Sequence, residues 1–478
     1  MKDELLNYLK SSVDQDWLYC SGYDRTLAAK EKNSSLLYRR TQAKLAQISA
    51  ISAQDYQKPT VLIVEDDPID FISAFIAGVI AEVHLFLGNP AWQQQEWQQV
   101  LNFVQPNLIF GTDAVKSQIY ELTSLKLPVT VDANGSLIMI PTGGTSGKIK
   151  FAIHSWATLT ASVTGFKRFF GCQTVNSWCT LPLYHVSGLM QLMRSLVTRG
   201  KLVICPYRLT RPEIERNPST YFISLVPTQL QLLLDTDPGW LKQFKTVLVG
   251  GAPARRSLLE RARENRIAIA PIYGSTETAS GVVALKPRDF WAGNMSNGQV
   301  LPHAQVSIRQ ISKTNAEIKS DRSIGLISIT GTSLFMGYYP QLQTDRRSLT
   351  TDDLGYMDTQ QNIYLVGRNS HKIITGGENV FPEEVEAAIY ATKLVDDVCV
   401  FGISDRYWGQ AVTAVYVPSS AESNSRLIAQ QLQSQLAKYK QPKHWIEVKH
   451  IPRNDRGKID YQRLKAIAIS AIPPHKLN

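Results

Sequence analysis

Cysteine is scarce in this chain: Cys20, Cys172, Cys179, Cys205 and Cys399 are the only five in 478 residues, with no C-x-x-C pair and no partnering histidine cluster. That spacing excludes a zinc ribbon and a disulfide framework, and it points to reduced, buried thiols in a cytoplasmic protein. Long apolar runs are lacking too. The best candidate, residues 71–87, is interrupted by Glu82 and His84. It falls short of the roughly 20 apolar residues a membrane span needs and reads as a buried helix. The start, Met1-Lys-Asp-Glu-Leu-Leu, has no apolar signal core. Lys and Arg outnumber Asp and Glu by 51 to 41, a net charge of +10, yet no dense basic tract with interleaved aromatics occurs. Nucleic acid is therefore not the expected partner; anionic small molecules are. Repeats and low-complexity tracts are absent. A chain of this length with 44% hydrophobic and 19% charged residues is globular and large enough for two or three domains.

What is present is an alternation. Short strand-like runs at 60–64, 82–87, 107–110 and 136–140 are separated by helical stretches such as 36–50 and 68–81. More follow at 177–181, 201–205, 221–226 and 246–249. Strands alternating with helices predict parallel α/β layers, in which ligands sit beyond the strand carboxyl ends. From about residue 280 the texture turns to short strands with Gly, Asn and Pro turns (305–309, 325–330, 362–366), the pattern of a β-rich subdomain. After Gly367-Arg368 it becomes mixed: helix 382–391, strands 397–402 and 410–418, helix 425–438. The expected fold is α/β, with a large N-terminal domain of α/β and β subdomains (1–368) and a small α+β C-terminal domain (369–478).

Ile140-Pro-Thr-Gly-Gly-Thr-Ser-Gly-Lys-Ile-Lys150 concentrates glycines, hydroxyls and lysines directly after an apolar run. Glycines let backbone N–H groups approach phosphate oxygens, hydroxyls donate, and a lysine neutralises charge. It is not a G-x-x-x-x-G-K-[ST] loop, because Ile149 follows Lys148. Alone, such a run is equally a flexible turn. Pro271-Ile-Tyr-Gly-Ser-Thr-Glu-Thr278 offers a flat face for a purine at Tyr273, close approach at Gly274, and at Glu277 a hard oxygen ligand suited to Mg²⁺. Thr351-Asp-Asp-Leu-Gly-Tyr-Met-Asp358 holds three carboxylates without EF-hand spacing, and one carboxylate suits the two hydroxyls of a ribose. An ordinary acidic turn fits as well.

Taken together and in order, T-G-G-T-S-G-K-I-K, L-P-L-Y-H-V-S-G, Y-G-S-T-E, T-D-D-L-G-Y-M-D, G-R-N-S-H-K-I-I and P-R-N-D-R-G-K resemble the acyl-adenylate-forming enzymes: acyl-CoA synthetases, adenylation domains and luciferases. The resemblance covers about residues 60–465. It implies a small mobile C-terminal domain and the co-substrates ATP, Mg²⁺ and coenzyme A. It implies that Thr142, Gly143, Gly144, Thr145, Ser146, Gly147 and Lys150 hold the β- and γ-phosphates. Tyr273 would hold adenine beside Gly250, Gly251 and Ala252, with Gly274, Ser275 and Thr276 along the nucleotide and Glu277 on Mg²⁺. Asp353 and Arg368 would hold the ribose. Lys458 would bridge the reacting carboxylate and the α-phosphate, a fixed cation where negative charge concentrates. Ser370, where many members carry Asp, would be the pivot between adenylation and thioester formation. Gly376 and Gly377 would line the pantetheine tunnel, and His185 would stand between it and the acid. Four positions depart from the family pattern: Gly143 for Ser, Ile149 for Pro, Phe151 for Gly and Leu326 for Glu. These predict altered ATP affinity, not its loss.

Leu183-Tyr-His-Val-Ser-Gly-Leu-Met-Gln-Leu-Met-Arg194 looks like the 2-succinylbenzoate–CoA ligases of menaquinone and phylloquinone synthesis. That resemblance implies that Ser187 and Arg194 face a second carboxylate, with His185, Gly274 and Thr276 also lining the acid site. Positions seven apart share a helix face, and arginine suits bidentate carboxylate recognition. Another aromatic or aliphatic acid, or an acyl group handed to a carrier protein, is the alternative. A degenerate nucleotide-binding protein is a third reading.

Overall fold

The computed structural model describes residues 2–21, 32–52, 58–122, 135–143, 149–205, 217–310, 324–343, 348–376, 378–405, 407–433, 435–453 and 458–472. The chain forms two compact units. The first comprises Met1–Gly251, Arg261–Gln305 and Thr330–Leu349; the second comprises Ala252–Glu260, Val306–Ile329 and Thr350–Asn478. The expected division at Arg368 falls inside the second unit, because residues 252–260 and 306–329 pack with the C-terminal part of the chain.

Two α/β sheets build the first unit. One has the spatial order Leu108–Gly111, Thr60–Val64, His84–Leu87, Ile138–Gly143, Ile149–His154. Its first four strands pair in parallel, and the last closes the edge in antiparallel fashion. The expected strand at 82–87 begins at His84, since Glu82 takes a positive φ of 56° and turns the chain out of the preceding helix. That helix, Pro68–Ile80, is buried along almost its whole surface. Pro68 at its first turn and Asp67, whose side chain accepts from the Asp70 N–H, start it. It is the segment that came nearest to a membrane span; among the described residues no helix is long and apolar enough to cross one.

The other sheet has eight strands in the order Leu18–Cys20, Leu202–Ile204, Asn176–Cys179, Tyr221–Leu225, Thr246–Val249, Ile269–Ser275, Ser280–Ala284 and Gln299–Val300. The first six are parallel, and Leu202–Ile204 and Thr246–Val249 are buried throughout, which is why these two read as short β-branched and leucine runs.

In the second unit, Ala304–Arg309, Gly325–Gly331, Leu349–Met357 and Ile363–Arg368 make a four-stranded sheet. Residues 351–357, which the sequence leaves open between a ribose-type carboxylate and an ordinary acidic turn, are strand, with Asp352 and Asp353 on one arm of a hairpin. A five-stranded sheet follows, built on the long antiparallel pair Val395–Asp405 and Gly409–Pro418 and covered by the helix Pro382–Ala391. The helix expected over 425–438 is Ser425–Leu432, capped by the Asn424 side chain.

Candidate active site

Thr142 and Lys150 face each other across a hairpin, as do Gly143 and Ile149. The sequence placed this segment as a loop beyond a strand; instead both ends of it are strand. The stretch between them, with Gly144, Thr145, Ser146 and Gly147, lies outside the described residues. Two family departures have local reasons. The Ile149 N–H donates to Gln99 Oε1 (3.4 Å), a bond proline has no hydrogen to make. Phe151 is wholly buried edge-on against Phe86 at 5.1 Å between ring centres, anchoring the hairpin in an aromatic cluster with Trp92 and Phe103.

Residues 336–339 run along the outer edge of this hairpin. Met336 N–H donates to Ile153 O (2.7 Å), Ile153 N–H to Gly337 O (2.9 Å) and Tyr339 N–H to Phe151 O (2.9 Å). This edge presents Tyr338, whose hydroxyl donates to Glu277 Oε1 at 2.7 Å and whose ring lies 5.1 Å from the exposed Lys150 Nζ. A lysine, a phenol and a carboxylate are thereby gathered at the hairpin. Glu277 sits in the 3₁₀ turn Thr276–Thr278, tied by Phe335 N–H to Glu277 O (2.8 Å). Behind the turn, the fully buried His154 uses Nε2 on Thr276 O (2.8 Å) and Nδ1 on Thr158 Oγ1 (3.0 Å). A carbonyl only accepts, so Nε2 carries the proton. Burial lowers the imidazole pKa to about 4, against weaker opposing pulls from the Thr276 carbonyl and Glu277.

Gly250 and Gly251 follow the carboxyl end of Thr246–Val249, and Tyr273 lies near the end of the adjacent parallel strand. Gly274 is obligatory at this bulge: a Cβ would lie 1.9 Å from Ser280 O. Ser275 is exposed and Ala252 opens the second unit. No group of three or more His, Cys, Asp or Glu among the described residues is placed to hold a metal. Glu277 alone fits Mg²⁺, which keeps water and substrate phosphates as most of its ligands.

His185 caps the helix Val186–Thr198, half-buried against Tyr184. One face of this otherwise apolar helix carries Ser187, Gln191 and Arg194, at i, i+4 and i+7. Gln191 Nε2 donates to Ser187 O (3.0 Å) while its Oε1 has no partner among the described residues. Arg194 is 3% exposed. Its guanidinium stacks 4.1 Å from the Phe166 ring centre and donates to Ser280 Oγ (3.2 Å); Nε is unpartnered and no carboxylate pairs with it among the described residues. Burial lowers its pKa to about 10, so it stays a cation at neutral pH.

In the second unit, Asp353 and Arg368 are cross-strand neighbours, with Arg368 Nε donating to Asp353 Oδ1 at 3.1 Å. Ser370 is exposed; its N–H and hydroxyl both donate to the Asp352 carboxylate. Gly376 has φ +58° and its N–H donates to Trp408 O (2.8 Å). Gly377 lies outside the described residues. Lys458 is exposed, just before Ile459, which bridges to Arg453. Sequence reasoning missed Tyr338, His154 and Gln191. Only Gln191 had a signal, its helical spacing between Ser187 and Arg194.

Two sheets with glycine-bearing strand ends, a lysine–hydroxyl hairpin and one magnesium-type carboxylate define a nucleotide-binding enzyme. The AMP-binding enzyme model matches residues 22–339, and the AMP-binding enzyme C-terminal domain model matches 384–458. The chain belongs to the AMP-binding enzyme family. It is 32% identical to the 2-succinylbenzoate–CoA ligase of Enterococcus faecalis over 398 residues, covering 80% of this chain and 78% of that one. It is 30% identical to the ligase of the same name from Listeria monocytogenes, covering 84% and 88%. The fold matches o-succinylbenzoate CoA synthetase from Bacillus subtilis in complex with the acyl-adenylate intermediate OSB-AMP. That match has a TM-score of 0.79 at 24% identity and covers 96% of this chain and 97% of that one.

Proposed function

We propose that this chain is an AMP-forming acid–CoA ligase whose acid is 2-succinylbenzoate, acting in the cytoplasm in menaquinone or phylloquinone synthesis. One observation carries the choice of acid: among the described residues the buried Arg194 cation has no counter-charge. Burying an ion without a partner costs several kcal/mol, and a carboxylate supplied by the ligand offsets that cost. A dicarboxylic acid can do this and still present a second carboxylate for reaction. Ser187, Gln191 and Arg194 share one helix face, with His185 at the helix N-terminus, and this spacing supports the reading.

A carboxylate is a poor acylating agent. In the proposed reaction it attacks the α-phosphorus of ATP, pyrophosphate leaves, and the mixed anhydride gives a thiol an AMP leaving group. Thr142 and Lys150, with the hairpin tip, hold the β- and γ-phosphates; Tyr273 and the 250–252 segment hold adenine; Asp353 and Arg368 hold the ribose. Lys458 neutralises the charge that builds on the attacked phosphate. Glu277 would hold Mg²⁺, which neutralises pyrophosphate as it leaves. Ser370 is the pivot and Gly376 and Gly377 border the thiol path.

The test is CoA thioester formation across mono- and dicarboxylic aromatic acids and fatty acids. Turnover of 2-succinylbenzoate, lost together with ATP–pyrophosphate exchange in Lys458→Ala, supports the reading. Activity confined to fatty acids overturns the substrate, and absence of exchange with every acid overturns the activity.

A further inference from the structure

His303 is a second buried polar group beside Arg194 that nothing in the proposed reaction uses. It is 9% exposed, and neither ring nitrogen has a partner among the described residues. Its backbone is fixed, since His303 O accepts from the Thr332 N–H at 3.1 Å. Its ring lies against Gly165, where a Cβ would come within 1.8 Å of Nδ1. The next residue on that helix is Phe166, the ring on which Arg194 stacks. Imidazole and guanidinium thus meet neighbouring positions of one helix, and the Arg194 cation disfavours a proton on His303, in the same direction as burial. Buried imidazoles ordinarily satisfy at least one nitrogen. Here Arg194 Nε, Gln191 Oε1 and both His303 nitrogens are left over in one region. Of these, Arg194 Nε–H and the single N–H of a neutral His303 imidazole are donors, the complement of a carboxylate that accepts on two oxygens; Gln191 Oε1 is an acceptor and lies outside that set.

We propose that His303 is a specificity-determining residue whose neutral imidazole N–H donates, alongside Arg194, to the non-reacting carboxylate of a dicarboxylic acid. The proposal rests on the reading of Arg194 given above. A neutral donor suits the place: one guanidinium balances one carboxylate, and a second cation would leave net buried charge. Gly165 is part of the device, because only its missing side chain admits the ring.

The experiment measures kcat and KM in CoA thioester formation with 2-succinylbenzoate, with the same acid lacking the ring carboxylate (4-oxo-4-phenylbutanoate), and KM for ATP. His303→Leu should raise KM for the dicarboxylic acid by about tenfold or more, as loss of a hydrogen bond to a charged group does, while the other two KM values stay within about twofold. His303→Gln, which keeps an N–H donor, should recover most of the affinity. Gly165→Ala should reproduce the selective loss by displacing the ring, and it carries the test should His303→Leu fail to fold. Equal losses on both acids, or none, would overturn the proposal and leave His303 a packing residue. If Arg194→Ala is selective and the His303 and Gly165 variants are not, this inference alone fails. If wild-type protein does not distinguish the two acids, the substrate reading fails with it.

Discussion

Lys44 and Arg194 are both buried cations of the first unit, and both lie over a phenylalanine, Phe110 at 4.6 Å and Phe166 at 4.1 Å. Of the two, only Lys44 has a counter-charge among the described residues. Lys44 pairs with Glu65 at 3.1 Å and with Asp70 at 3.3 Å, so its charge is balanced within the fold and joins the helix Asn33–Ser52 to the start of Pro68–Ile80. Arg194 has a serine hydroxyl and an aromatic face. A buried cation is structural where the fold supplies the anion, as at Lys44, and on the reading proposed above it serves the ligand where the described residues supply none, as at Arg194. A perturbed charge in a cleft is a site candidate for that reason.

The comparison breaks most directly by removing each cation. Lys44→Met leaves the buried Glu65 without its cation, while Asp70 keeps Arg40 at 2.6 Å, and should lower the unfolding free energy by about 3 kcal/mol, measured by denaturant titration. Arg194→Met removes a charge that nothing in the fold balances, so stability should hold or rise by about 1 kcal/mol or more. Its cost should appear in the reaction instead: KM for the dicarboxylic acid should rise by the equivalent of about 2–4 kcal/mol, with KM for ATP unchanged. If Arg194→Met destabilises as much as Lys44→Met, Arg194 is a structural residue and the contrast is void.

This contrast was half legible in the sequence. Ser187 and Arg194 stand out as polar residues at the two ends of Ser-Gly-Leu-Met-Gln-Leu-Met-Arg, and helical spacing puts them on one face. The buried parallel strands are legible as β-branched runs such as Thr60–Val64 and Thr246–Val249 because both faces are covered. What spacing does not carry is which distant side chain arrives opposite. Tyr338 reaches Glu277 from 61 positions away because its segment adds to the edge of Ile149–His154. His303 fits against Gly165, and Asp353 finds Arg368 across a hairpin whose strands read as separate motifs. The grouping of 252–260 with the C-terminal part is likewise a tertiary choice, set by Arg255, which donates to Asp396 O (2.8 Å) and to the Asp397 carboxylate and stacks on Tyr390.

Two histidines sharpen the contrast by pH. Burial lowers both His154 and His303 to about 4 from the ordinary 6.5. An imidazole that accepts a proton more readily unfolded than folded stabilises the fold only while neutral. Its contribution is complete above pH 6.5, shrinks as pH falls, and is gone below about 4. The unfolding free-energy difference between wild type and His303→Leu should therefore fall by roughly 2–3 kcal/mol between pH 7.5 and 4.5. Taking the difference cancels groups common to both proteins, among them Glu386, which burial raises to about 8. His154, with both nitrogens engaged, should show the same window, but saturating dicarboxylic acid should move only the His303 part. A constant difference across that range would mean that His303 is hydrated in the folded protein.

The smallest expected effect concerns Glu277, which lies between the two extremes. Among the described residues no cation is bonded to its carboxylate, yet one oxygen is engaged by the Tyr338 hydroxyl while Lys150 stands over the same ring. A phenol that donates to the carboxylate fixes its orientation without neutralising it, leaving its charge and its other oxygen for a divalent ion. Groups that orient a ligating side chain in this way change metal affinity by about 10- to 100-fold when removed. Tyr338→Phe keeps the ring under Lys150 and removes only the hydroxyl, so the Mg²⁺ concentration giving half-maximal pyrophosphate exchange should rise about tenfold, near 1.4 kcal/mol, with KM for the acid unchanged. Direct Mg²⁺ titration of the ATP-bound protein by calorimetry separates this from a change in turnover. An unchanged Mg²⁺ requirement would show that Glu277 is positioned by its 3₁₀ turn alone, and the phenol would then belong to Lys150.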